Sequence, residues 1–280
     1  MEILSSGDRI RPGAYAAKAR FARSVLLLGA GERPLFVVDR SIGAGPLNLV
    51  VADPNAFVAG ETLAMALPRR GRRGLQQGSG WSRHDPVPVS LGPRFDSALP
   101  RTDRAKLARV LKTALPRHAP PDSLVSLFFP SGKLPRLQEN RDALFRTAFA
   151  QIAAGRLAAG VRLIRGCGAG LTPAGDDFLC GWMLALRLHR RGALAREILK
   201  HARGKNPVSN AFLELSAAGR VHAAMKKLLQ APSRPTCGPS ALSATARARI
   251  CCAECSLAWG IQNSGFRIQN GQLPTRHSDS

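Results

Sequence analysis

Short apolar runs separated by turn residues dominate the first part of the chain. Ser24-Val-Leu-Leu-Leu-Gly29 and Pro34-Leu-Phe-Val-Val-Asp39 are two such runs, with Gly-Ala-Gly-Glu-Arg between them, and Leu47–Val51 follows Gly43-Ala-Gly-Pro46. Apolar runs of this length, bounded by glycine and proline, predict β-strands. Pro86–Leu91 predicts an edge strand, because proline lacks the amide that a central strand must donate.

Apolar residues recur at helical spacing in the later part of the chain. This pattern predicts helices over residues 103–114, 137–159, 173–191, 193–202 and 209–230. Thr102 is the expected N-cap of the first of these helices. In the third, Thr172 is the expected cap, Pro173 the first helical residue, and Asp176 and Asp177 lie where the helix dipole favours negative charge.

The two patterns together predict an α+β protein with a β-rich N-terminal half and an α-helical C-terminal half. The expected divisions are a β-rich region over residues 1–117 and a linker or last strand over residues 118–136. A helical region over residues 137–230 and an aberrant tail over residues 231–280 follow.

The net charge of +23 raises the question of nucleic-acid binding. Most of the 41 basic residues are scattered, and only Pro68-Arg-Arg-Gly-Arg-Arg73 forms a dense cluster. The single tyrosine leaves no aromatic-rich strand on which bases could stack. A solvated basic loop is therefore the favoured interpretation, with nucleic-acid binding as an alternative. The apolar runs are too short to cross a bilayer, and no apolar segment follows the N-terminal charges, so a cytoplasmic protein is expected.

The most informative stretch is Gly166-Cys-Gly-Ala-Gly-Leu-Thr-Pro-Ala-Gly-Asp-Asp-Phe-Leu-Cys-Gly181. Closely spaced glycines before a helix N-terminus can offer amide donors to an anion. The two aspartates would repel a bare phosphate, and would instead suit a divalent ion, a carboxamide or amine, or a general base. A purely structural loop explains the spacing equally well. The candidate site consists of Asp176 and Asp177 as catalytic residues, with Gly166, Gly168, Gly170, Thr172 and Gly175 binding the substrate.

This stretch resembles the hallmark motif of the oxamate carbamoyltransferase small-subunit family, long labelled a domain of unknown function. Gly45-Pro46 with Leu47–Val51, Val208-Ser209 with Leu213, and the strand pair before residue 40 agree more loosely. The resemblance implies a subunit of a multi-component enzyme of purine (allantoin) catabolism, which transfers a carbamoyl group between oxalurate and phosphate. It implies partner subunits and a small carboxylate or carbamoyl substrate. No particular cofactor is predicted, and the two aspartates would suit a divalent metal ion. The alternative is a non-catalytic scaffold or regulatory subunit.

The tail departs from the family pattern. A second motif, Gly-His-x-Ser-Gly-x-Asp-x-Leu-x-Gly, is expected near the C-terminus and is absent. The tail instead contains Cys237, Cys251, Cys252 and Cys255, which lack the second Cys-x-x-Cys pair of a structural zinc site. Reading residues 242–259 one base earlier, with suitable codons, can yield Gly-His-Gly-Ser-Gly-Ser-Asp-Leu-Leu-Arg-Gly. The hypothesis is a frameshift between residues 230 and 242, which would leave the chain without half of its site.

Overall fold

Strands precede helices along the chain. The computed structural model describes residues 2–54, 92–119, 123–129 and 132–230, and the backbone of the short strands between residues 62 and 88. The strands are β1 (Ile3–Gly7), β2 (Gly13–Phe21), β3 (Ser24–Gly29), β4 (Arg33–Val38), β5 (Asn48–Val51), β6 (Thr62–Met65), β7 (Arg69–Arg70), β8 (Leu75–Gln76), β9 (Gly80–Trp81), β10 (Val87–Pro88) and β11 (Arg94–Phe95). The helices are α1 (Arg104–His118), α2 (Arg136–Ala153), α3 (Leu157–Ile164), α4 (Ala174–Leu188), α5 (Gly192–Ala202), α6 (Pro207–Ala217) and α7 (Ala223–Gln230). The predicted α+β class is confirmed.

Nine of the described strands form one mixed sheet, in the order β10-β9-β6-β2-β3-β4-β5-β1-β11. The pairs β4–β5 and β1–β11 are parallel, and the other pairs are antiparallel. The predicted strands at 24–29, 34–39 and 47–51 correspond to β3, β4 and β5. Val87–Pro88 lies at one end of this order, the edge position in which proline is tolerated.

One face of the sheet carries an apolar core. Successive strands contribute alternate residues, because side chains of a strand point to opposite faces in turn. The buried cluster contains Ile3, Tyr15, Val25, Leu27, Leu35, Val37, Leu49 and Val51. The Tyr15 hydroxyl, at the edge of this cluster, donates a hydrogen bond to the Arg11 carbonyl at 2.8 Å, which satisfies the one polar atom of the ring.

Contacts divide the chain into two units. Among the described residues, the first unit comprises the N-terminal part up to residue 98 with residues 220–226, and the second comprises residues 99–219 with residues 227–230. These boundaries differ from the division at residue 117 predicted from the sequence. In the first unit, Arg220 Nη1 lies 3.1 Å from Asp8 Oδ2, and Ser97 Oγ donates to Asp8 Oδ1 at 2.6 Å. Lys226 Nζ also donates to Asp96 Oδ2, at 3.0 Å, so several charged contacts hold residues 220–226 in this unit.

The second unit is helical and has a phenylalanine-rich core. Phe145 of α2 meets Phe178 of α4 edge to face, with ring centroids 5.4 Å apart. Phe128 and Phe149 complete the ring contacts. Such offset and edge-on pairs add to the stabilisation from apolar burial. Around them pack fully buried aliphatic residues of neighbouring helices, including Ile164, Leu179, Met183, Ile198 and Leu213.

Two of the predicted helices are each divided in two. The predicted helix 137–159 is α2 and α3, separated at Gly155, and the predicted helix 209–230 is α6 and α7, separated at Gly219. Gly155 has φ +79° and Gly219 has φ +68°. A glycine in the left-handed region ends a helix readily because it has no Cβ to clash with the following carbonyl. Apolar spacing that continued across both glycines concealed the breaks.

The predicted caps are also wrong. Asp103, not Thr102, caps α1, and its side chain accepts a hydrogen bond from the Lys106 amide at 3.0 Å. Pro173 is the N-cap of α4, whose helical residues begin at Ala174, and Thr172 does not cap it. The run 124–129, predicted as a linker or last strand, contains a 3-10 helix over Leu124–Leu127.

Candidate functional site

The glycine-rich loop connects α3 to α4. Gly166, Gly168 and Gly170 are exposed and have φ values of +68°, +113° and +96°. All three conformations lie in the region that favours glycine. A Cβ at Gly166 or Gly170 would meet no atom within 4 Å, whereas one at Gly168 would lie 2.9 Å from the Ala174 nitrogen. Backbone conformation therefore explains the glycines at 166 and 170, and close approach to α4 adds a reason at 168.

Asp176 holds the start of this loop in place through a hydrogen bond. It lies in the first turn of α4 and is 5% exposed, and its Oδ1 accepts a hydrogen bond from the Gly166 amide at 2.7 Å. A hydrogen bond from a backbone amide to a buried carboxylate is strong and has a defined direction. The hydrogen bond joins two residues that are ten positions apart, so Asp176 determines where the loop leaves α3.

Gly175 lies where α4 begins against the end of α3. A Cβ at this position would clash with the Ile164 carbonyl oxygen. The Gly175 amide donates to the Cys167 carbonyl at 2.8 Å. Gly175 therefore contributes to the packing of the loop in two ways. Its lack of a side chain allows the close approach to Ile164, and its amide donates a hydrogen bond to the loop.

Thr172 and Asp177 lie at the end of the loop. Thr172 is 5% exposed, and its hydroxyl donates to Asp177 Oδ2 at 3.4 Å. Asp177 is half-buried and makes further contacts. Together with the loop glycines, Gly175 and Asp176, these two residues complete the predicted site, and the structure brings all seven together in one segment.

A second helix N-terminus supports the loop from the side. Asn206 caps α6 by accepting hydrogen bonds from the Val208 and Ser209 amides, and its Nδ2 donates to the Leu171 carbonyl at 2.8 Å. One side chain therefore orders both the start of α6 and the loop before α4. Ser209 is 2% exposed, and its hydroxyl has no hydrogen-bond partner within the described part of the chain.

A buried ion pair lies on α2, and no sequence motif predicted it. Asp142 of α2 is fully buried, and it accepts a hydrogen bond from Ser126 Oγ at 2.6 Å and from Arg141 Nη2 at 3.1 Å. Arg141 Nη2 also donates to the Ser123 carbonyl at 2.8 Å. One sequence feature could have predicted this pair: Asp142 lies on the apolar face of α2, one turn before Phe145. An acidic residue on such a face is rarely buried without a partner.

The two cysteines of this unit differ in their surroundings. Burial raises the pKa of the Cys167 thiol; the positive charge of Arg141 opposes this shift and the negative charge of Asp176 adds to it. Burial also raises the pKa of Cys180, which is contacted by Ser216 of α6. A thiol with a raised pKa is a poor nucleophile at neutral pH.

His222 immediately precedes α7. Its Nδ1 accepts a hydrogen bond from the Met225 amide at 3.3 Å. Burial lowers the pKa of His222 to about 4, which keeps the ring neutral and able to accept this bond at physiological pH.

Within the described ranges, no three His, Cys, Asp or Glu side chains lie close enough together to hold a metal ion. None of the described helices combines the length and apolar character needed to cross a bilayer. The dense basic cluster at 68–73 and the tail 231–280 lie outside the residues whose side chains the structure describes.

The fold and the loop define the class: an α+β protein in which an exposed glycine-rich loop, fastened by a buried aspartate, leads directly into a core helix. Residues 164–246 match the family model described as oxamate carbamoyltransferase subunit AllH. The resemblance inferred from Gly166–Gly181 is thereby confirmed, and over this segment the chain is similar to that family. The match includes the loop, Asp176, Asp177 and α4 to α7, and extends past residue 242, beyond the interval in which the frameshift was placed. No curated protein and no solved structure matches the chain.

Proposed function

We propose that this chain is a subunit of a multi-component carbamoyltransferase, and that the glycine-rich loop at 166–170 with the start of α4 binds a small planar substrate such as oxamate or oxalurate. One observation carries the proposal. The exposed loop, held by the buried Asp176–Gly166 hydrogen bond, falls inside the segment that matches an oxamate carbamoyltransferase subunit. The alternative of a non-catalytic scaffold rests on no specific observation.

The two aspartates have different proposed roles. Asp176 is a positioning residue, because its Oδ1 accepts the Gly166 amide and its side chain is buried. Asp177 is half-buried and one residue further along the first turn, so it is the carboxylate proposed to meet the substrate. A carboxylate can accept hydrogen bonds from a substrate amide nitrogen or act as a general base.

Carbamoyl transfer would need donors that stabilise negative charge. The amides at positions 166 and 175–177 already donate within the chain, so the proposed donors are the amides of the exposed loop residues 168–170. Asp177 would hold the nitrogen of the carbamoyl or oxamate group at the other end of the ligand. A divalent ion, if the reaction uses one, would be held by Asp177 with ligands from the substrate.

The experiment is a calorimetric titration of the full chain with oxamate, oxalurate and carbamoyl phosphate, each with and without Mg²⁺. A parallel titration uses a version whose tail has been restored to the alternative reading frame. Binding by either protein, lost in Asp177→Asn without a change in thermal stability, supports the proposal. Asp103→Asn, at an exposed carboxylate that caps α1 outside the loop, is the matched control and retains binding. If neither protein binds any of the three compounds, the proposal is refuted and the scaffold interpretation is preferred.

A further inference from the structure

We infer that Lys205, in the loop between α5 and α6, is the cation that binds the anionic end of the ligand held by the glycine-rich loop. The inference rests on the proposed function of that loop as a substrate site, and it assigns a residue that no sequence motif predicted. Lys205 belongs to the helical unit that contains the glycine-rich loop, and it lies inside the segment 164–246 that matches the AllH family.

Two hydrogen bonds join the α5–α6 loop to both ends of the glycine-rich loop. At one end, Arg165 Nη1 donates to the Arg203 carbonyl at 2.9 Å. At the other end, Asn206 Nδ2 donates to the Leu171 carbonyl at 2.8 Å. The two loops therefore run alongside each other, and Lys205 lies between the two points of attachment.

Lys205 lies within reach of the exposed part of the glycine-rich loop. Its Cα is about 3.8 Å from that of Asn206, whose side chain contacts Leu171. Residues 168–170 directly precede Leu171, and three residues span at most about 11 Å. The four-carbon stem of lysine is flexible, so an ammonium that starts beside Leu171 can meet a ligand bound at the amides of residues 168–170.

The cations of these two loops differ in whether a partner already engages them. Arg165 Nη1 donates to the carbonyls of Arg203 and His201, at 2.9 Å and 3.5 Å. Arg203 Nη2 lies 2.9 Å from Glu214 Oε1. Lys205 is exposed, and among the described residues no hydrogen bond or ion pair engages its ammonium. Lys205 can therefore bind an anion without first breaking a contact within the chain.

Lys205 also balances the charge of a site that contains two aspartates. The amides of residues 168–170 donate no hydrogen bond within the described part of the chain, so they are available to an anion. Asp176 and Asp177 alone would oppose an anion at these amides, and Lys205 supplies the compensating charge. An ammonium binds carboxylates and phosphates as a point charge. A ligand with its anionic end at Lys205 and an amide nitrogen at Asp177 is a carboxylate that carries a carboxamide, the chemical class of oxamate.

The test is calorimetric titration of the full chain with oxamate and with inorganic phosphate. Each titration is made at about 0.01 M and about 1 M NaCl, where the screening length is about 30 Å and about 3 Å. Lys205→Met removes the charge and keeps the apolar stem, and is expected to weaken both anions by about tenfold at low salt and to flatten the salt dependence. Lys205→Arg keeps the charge and is expected to retain most of the affinity.

Two further variants serve as comparisons. Lys112→Met, at an exposed lysine on α1 in the same unit, changes the net charge equally and is expected to keep the affinity and its salt dependence. Asp177→Asn is expected to weaken oxamate, which needs the carboxylate for its amide nitrogen, and to strengthen phosphate, which the carboxylate repels. Circular dichroism and thermal unfolding establish that each variant is folded.

The outcomes separate this inference from the proposed function on which it rests. If Lys205→Met binds both anions as tightly as Lys112→Met does, the inference is overturned and the substrate site at the glycine-rich loop stands. If the unmodified chain binds neither anion, both proposals fail. If the unmodified chain binds phosphate but not oxamate, and Lys205→Met loses phosphate, the result supports the Lys205 site and contradicts the proposed substrate.

Discussion

Gly175 offers a direct measure of how closely α4 approaches α3. In Gly175→Ala the new methyl group would clash with the Ile164 carbonyl oxygen, and neither atom can move without shifting a helix end. Overpacking of this kind costs about 3 kcal/mol. Alanine is a better helix former than glycine by about 1 kcal/mol, which offsets part of the cost. The expected net loss in the free energy of unfolding is therefore about 2 kcal/mol, the difference of these two estimates.

The assay is equilibrium urea unfolding followed by far-ultraviolet circular dichroism. The matched control is Gly170→Ala, where a Cβ meets no atom within 4 Å and the cost comes only from the positive φ of +96°. That strain is worth about 1–3 kcal/mol. A crystal structure of each variant separates the two causes, since only Gly175→Ala should displace the start of α4 from the end of α3. If Gly175→Ala is as stable as the unmodified chain and leaves both helices in place, the close approach described above is incorrect.

The remaining predictions concern the ion pair, the pH dependence and the tail. Asp142→Ala leaves the charge of Arg141 without its buried partner and is expected to lower the free energy of unfolding by about 3–5 kcal/mol; a loss below 1 kcal/mol in urea unfolding would show that the pair is not buried. The His222 contribution to stability should decline as pH falls from 6.5 to about 4, because the unfolded chain binds a proton in that window and the folded ring does not. In His222→Asn, which can still accept from the Met225 amide, that part of the pH dependence should disappear from thermal unfolding curves, and an unchanged profile counts against the assignment. Sequencing the coding DNA tests the proposed frameshift between residues 230 and 242, since codons that cannot encode Gly-His-Gly-Ser-Gly in the neighbouring frame exclude it.

The roles of the two aspartates illustrate what a sequence pattern leaves open. Their position in the first turn of a helix predicted a pair with similar chemistry. The structure distinguishes them by burial and by the Gly166 amide, which only Asp176 accepts. Variants of Asp176 should therefore alter the loop and stability as well as binding, whereas Asp177→Asn, which still accepts a hydrogen bond from Thr172, should mainly alter binding. This separation is the basis on which a structural and a substrate-binding carboxylate can be told apart by experiment.

Local patterns by themselves determined the α+β class, strands β3, β4 and β5, the positions of most helices and the importance of the glycine-rich segment. These features depend on spacing within a few residues, which the sequence displays directly. Strands β1 and β2 were missed, because both mix polar and apolar residues. The strand β1 pairs with the distant β5 and β11, and β2 pairs with the distant β6 as well as with the adjacent β3. Propensity is a weak guide where tertiary pairing decides.

Only the tertiary structure decided how the loop is held. The Asp176–Gly166 and Asn206–Leu171 hydrogen bonds join residues whose approach depends on how α3, α4 and α6 pack. The periodic spacing of apolar residues along the chain does not predict such contacts, because they form only when many apolar side chains pack together. The sequence could therefore locate the candidate site, and the folded chain was needed to identify the residues that position it.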